Sequence, residues 1–136
     1  MGYTTKQTND WAGLLKKYQA GTLDNLKNDQ AWQLAIGITK AIKKEYYVCT
    51  DAKMEGWYDQ ADRASQSIAN NIGEYYAKSY VGPHTIARGE AFELYTLLVA
   101  GPDGLKKLIP AVEKVVELLD KQVADRVQFQ TEVGMI

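Results

Sequence analysis

The chain has 136 residues, a net charge of −1, 46% hydrophobic and 24% charged residues, the size and balance of one ordinary globular domain. So small a net charge speaks against a dedicated duplex-DNA binder, whose affinity rests on lysine and arginine displacing counterions. A single cysteine, Cys49, excludes an intrachain disulfide and a CxxC metal site, and points to a reducing compartment, the cytoplasm.

The start, Met1 to Lys6, lacks the apolar run of a signal peptide, and no stretch approaches the roughly 20 apolar residues of a membrane span. Charge is uneven along the chain. Residues 1–53 hold eight lysines against five acids, and the remainder eight basic residues against twelve acids. A difference of this size reads first as a solvated surface and second as a footprint for RNA or DNA.

Residues 1–27 begin polar and then place Trp11, Leu14, Leu15 and Tyr18 at helical spacing before Gly21, which predicts a short helix or arm. Residues 28–136 are expected to form the main body. Asn28 is a suitable N-cap for a first long helix carrying Ala31, Leu34, Ala35, Ile38, Ala41, Ile42 and Tyr46, ending near Val48. Thr50 or Asp51 then caps a second helix to about Ser79, with Met54, Trp57, Ala61, Ala64, Ile68, Ile72 and Tyr75 on its apolar stripe.

Pro83 suits the first turn of a third helix, whose stripe is Ile86, Ala87, Ala91, Leu94, Leu97 and Leu98. Gly101-Pro102-Asp103-Gly104 breaks the chain. Leu105, Leu108, Val112, Val115, Leu119 and Val123 then predict the last helix, widened by Ile109, Val116 and Val127, with Phe129 to Ile136 as a frayed or subunit-packing tail. Short connections between four helices predict an all-α, antiparallel up-down-up-down bundle.

Motifs for chemistry are sparse. His84 stands alone beside a helix start and reads as a surface or capping residue; Glu90 and Glu93 have no histidine with which to hold a di-iron centre; Cys49 reads as a buried small hydrophobe. No phosphate-binding loop is present, since Gly101-Pro102-Asp103-Gly104 lacks the following Lys-Ser/Thr. The expectation is a protein that is not an enzyme and takes no cofactor or metal. Lys16, Lys17, Lys40, Lys43 and Lys44 are its candidate nucleic-acid contacts.

In a hairpin turning near residues 80–82, Glu74 falls opposite Arg88 and Asn71 opposite Ala91, which predicts an Arg–Glu pair between the second and third helices. Small residues on both helices (Ala61, Ala64, Ala69 and Gly73; Ala87, Gly89 and Ala91) would allow close approach. This polar set fixes register or shapes a subunit interface or ligand groove. The aromatics Trp57, Tyr58, Tyr75, Tyr76, Tyr80 and Tyr95 exceed what one four-helix core readily covers, so self-association is expected.

Gln60, Arg63, Ala64, Ser67, Ile68, Asn71, Ile72 and Glu74, followed by Ala87, Gly89, Glu93 and Leu94, give the chain a resemblance to four-helix-bundle proteins encoded in intervening sequences of bacterial large-subunit ribosomal RNA genes. The similarity extends from about Ala31 through the last helix. It departs from the family pattern at Asp62, where an arginine is usual, and at Ala69, Gly73, Tyr75 and Glu90. That family is similar in fold to the accessory proteins of diversity-generating retroelements. The resemblance implies a pentameric homo-oligomer that contacts RNA or DNA and a reverse transcriptase or another protein, with Gln60, Arg63, Ser67, Asn71, Glu74, Arg88 and Glu93 as its structural or interface motif. The competing expectation is a protein-interaction module with no nucleic-acid binding.

Overall fold

A computed structural model describes residues 21–78, 80–132 and 134. The segment with Trp11, Lys16 and Lys17 lies outside the described residues. Helix α1 is Leu23–Lys27, and four long helices follow: α2 (Gln30–Val48), α3 (Glu55–Lys78), α4 (Gly82–Ala100) and α5 (Ile109–Glu132). Helix α2 packs against α3 and α5, and α4 also packs against α3 and α5. The long helices therefore form a four-cornered antiparallel bundle in chain order, with α2 and α4 on opposite corners.

The apolar stripes read from the sequence build the core. Ala31, Ala35, Ile38 and Ile42 of α2 meet Ala61, Ala64, Ile68 and Ile72 of α3, Ala87, Ala91, Leu94 and Leu98 of α4, and Val112, Val115 and Leu119 of α5. Alanines on three of the four helices keep the axes close. Gly73 and Gly89, expected to share that role, do not. Gly73 looks toward the Leu26 side chain of α1, and Gly89 is exposed with open space where a Cβ would lie. Gly101 is the glycine that matters for approach, since a Cβ there would overlap the Trp57 indole and the Leu97 carbonyl oxygen.

Several boundaries and burials differ from the sequence expectation. Thr22 caps the short α1, Asn28 ends it, and Asp29 rather than Asn28 caps α2 by accepting from the Trp32 amide at 2.8 Å. The last α-helix begins at Ile109, not Leu105, because Pro110 has no N–H and its ring opposes an α-helical turn before it; Asp103–Leu108 form a 3₁₀ turn instead. Phe129, expected in a frayed tail, is fully buried, and α5 continues through it to Glu132. Ile86, expected on the core stripe of α4, faces outward.

Candidate functional site

The motif residues of α3 form a surface stripe, not a bridge between helices. Gln60, Arg63, Ser67, Asn71 and Glu74 recur in steps of 3, 4, 4 and 3, so they share one side of the helix, exposed or half-buried. Their bonds stay within α3. Arg63 pairs with Asp59 at 3.1 Å, Glu74 with Lys78 at 3.8 Å, and the Asn71 amide donates to the Ser67 carbonyl at 2.8 Å. Arg88 does not pair with Glu74: its guanidinium meets Asp120 of α5 at 2.7 Å and lies 4.6 Å above the centre of the Phe92 ring. A hairpin sum locates levels along two helices but not azimuth, and at Arg88 the azimuth faces α5. Glu93 is exposed beside Glu90, whose carboxyl is raised by partial burial first and by the Glu93 charge second.

Apart from the exposed Arg88–Asp120 pair, the bonds that tie helices together involve residues outside the motif. Thr39 donates to Ser65 at 3.0 Å inside the α2/α3 interface, and the Trp57 indole N–H donates to the Leu97 carbonyl at 3.0 Å across α3/α4. A polar network that joins all four long helices lies at one end of the bundle. One Asp29 oxygen caps α2, and the other accepts from the Tyr76 hydroxyl of α3 and from the Gln122 amide of α5. Because a carboxylate only accepts, Gln122 turns its nitrogen to Asp29 and its oxygen to His84, at 2.6 Å from Nε2.

That orientation fixes His84 as the Nε2–H tautomer, since the amide oxygen needs a donor. Its Nδ1 is buried with no hydrogen-bond partner among the described residues. His84, expected at the surface, is 0% exposed, with its ring centre 4.0 Å from that of Tyr75. Burial lowers its pKa, while Gln122 and the Asp29 charge push weakly the other way. Tyr76 is raised by burial and by its bond to Asp29. Period counting places His84 on α4 but cannot say that α5 supplies its partner from 38 residues away.

Two outward faces remain. On α2, Lys40, Lys43 and Lys44 are exposed, and Lys43 leans onto Asp62 of α3 at 3.1 Å. Tyr46 stacks on Tyr58 with ring centres 5.3 Å apart, whereas its neighbour Tyr47 is 92% exposed. Cys49, expected to be buried, is the half-buried C-cap of this helix, and its Sγ is 3.8 Å from the Asp51 carbonyl oxygen.

On α4, Phe92, Tyr95 and Val99 are 41–51% exposed along one ridge, and Ile86 is exposed nearer the helix start. Between α4 and α5 an open groove of about 280 Å³ is lined by Ala91, Phe92, Tyr95, Val112, Glu113 and Val116. Of the six aromatics expected to overflow the core, Tyr58 and Tyr75 are buried and Trp57 and Tyr76 half-buried; only Tyr80 and Tyr95 are exposed.

Among the described residues no three His, Cys, Asp or Glu side chains gather as a metal site, and no helix is long and apolar enough to cross a membrane. The fold defines the class: an all-α bundle of four long antiparallel helices. Comparison of the chain with protein-family models, curated proteins and solved structures gives no match.

Proposed function

We infer that the chain works as a non-enzymatic, homo-oligomeric accessory or scaffold bundle that contacts RNA or DNA weakly and without regard to sequence. The observation that carries this reading is the outer side of α4, where Phe92, Tyr95 and Val99 form a contiguous ridge beside an open apolar groove. Single exposed apolar residues are ordinary, but a contiguous aromatic ridge with a groove is the composition of an interface. The resemblance to the ribosomal intervening-sequence bundles supports five copies in a ring, and supports a reverse transcriptase or another protein as a further partner.

Lys40, Lys43 and Lys44 lie on the opposite corner of the bundle from that ridge, so one face serves assembly while the other stays open. Repeating even a modest basic excess around a ring makes a continuous rim although each subunit is slightly acidic. A protein-interaction module with no nucleic-acid binding is the runner-up, favoured by the Lys43–Asp62 pair, which neutralises one of the three lysines within the subunit.

Light scattering at micromolar concentration tests assembly, and a mass of 15.2 kDa would sink it. Anisotropy titrations of structured RNA, single-stranded DNA and duplex DNA at about 50 and 200 mM salt test the second half, because phosphate contacts weaken markedly over that range. An oligomer that binds none of the three at the lower salt is the protein-only module.

A further inference from the structure

We propose that Tyr47 is a stacking platform for single-stranded nucleic acid, with Lys40 and Lys44 holding the strand's phosphates beside it. This deepens the reading above and rests on it. The sequence Tyr46-Tyr47 divides its two rings between different tasks: Tyr46 is stacked on Tyr58 and braces α2 against α3, while Tyr47 is 92% exposed and takes no part in the core. Val48, 66% exposed, extends the apolar surface at the end of the helix.

Lys40, Lys44 and Tyr47 are spaced i, i+4 and i+7, which puts them on one outward line of α2. Lys44 follows Lys40 by about 6 Å along the axis and precedes Tyr47 by about 4.5 Å. Among the described residues neither Lys40 nor Lys44 has an ion pair, whereas Lys43, one residue before Lys44 and turned toward α3, is taken by Asp62. Two cations in line with one exposed ring are the parts that sequence-tolerant single-strand binding uses: charge follows the backbone, and an aromatic face accepts any base.

A duplex would satisfy the lysines and leave Tyr47 idle, because its bases are already stacked on one another. The same ring set on an acidic face would point to a protein partner; here the adjoining charges on its line of the helix are positive. The substrate class is therefore an unpaired strand or loop of RNA or DNA, read through base faces and not base edges.

The test uses the full chain in anisotropy titrations with a 20-nucleotide oligo-uridine, the matching oligo-deoxythymidine and a 20-base-pair duplex at about 50 mM salt, with light scattering on every variant. Tyr47→Ala is expected to weaken single-strand binding at least about fivefold, leaving duplex binding, the salt slope and the oligomer size unchanged; Tyr47→Phe, which keeps the ring, should bind as the parent does. Lys40→Gln with Lys44→Gln should flatten the single-strand salt slope by about 1.4.

Wild-type affinity in Tyr47→Ala, equal weakening for single strand and duplex, or a smaller oligomer in Tyr47→Ala would each overturn the stacking role. In the first two cases the lysine contacts and the proposed function survive. Absence of binding by the parent chain to all three probes overturns both.

Discussion

Asp29 and His84 show how much one polar side chain can organise when it is buried with partners. Asp29 is 5% exposed and accepts from the Trp32 amide, the Tyr76 hydroxyl and the Gln122 amide. Asp29→Ala removes a helix cap and strands two half-buried donors, Tyr76 and Gln122, and should cost about 2–4 kcal/mol in urea denaturation. His84 gives the fold a pH dependence of definite sign. Its folded pKa is lowered, so the neutral ring favours the folded state. The unfolded chain takes up the proton below its ordinary value of about 6.5, and stability should be full above that pH and fall as the pH drops through it, by at most about 1.4 kcal/mol per unit. It is the only histidine in the chain. Denaturation midpoints measured from pH 7.5 to 5 should therefore decline in the parent and flatten in His84→Gln, which keeps a donor for Gln122; equal slopes in the two proteins would refute the assignment.

At the scale of elements, the α3/α4 hairpin is held by alanine packing and by the Trp57–Leu97 bond, without an ion pair between Glu74 and Arg88. Glu74 and Arg88 answer to different partners, so Glu74→Ala and Arg88→Ala should add within about 0.5 kcal/mol in a double-mutant cycle. Arg88→Ala and Asp120→Ala should instead show a coupling of about 0.2–1 kcal/mol, small because both groups are half exposed and screened by water. A large Glu74–Arg88 coupling would contradict the partners described above. Pro110 acts on the next element, setting where the α-helical hydrogen bonds of α5 begin and leaving Leu105 to enter the core from a 3₁₀ turn, where it is 1% exposed.

For the whole molecule, the bundle places apolar surface on the α4 corner and lysines with Tyr47 on the α2 corner. Phe92→Asp and Val99→Asp each put a charge on the outward ridge without touching the buried stripe. Each should leave far-ultraviolet circular dichroism unchanged while shifting the proposed oligomer toward a monomer in sedimentation velocity. An unchanged sedimentation coefficient in both variants would move the assembly surface away from α4.

Local periodicity determined the number of long helices, their order and nearly all of the core, because apolar spacing along a helix and breakers such as Gly101-Pro102 act within a few residues. The Lys40–Lys44 line was legible for the same reason. Tertiary structure alone decided which neighbouring tyrosine is braced and which is presented, that Arg88 turns to Asp120, that Phe129 belongs to the core, and that Asp29, Tyr76, His84 and Gln122 form one network. Each of these depends on the azimuth of a helix relative to partners tens of residues away. That angle is set by how four stripes close around a common core, which no spacing within one helix contains.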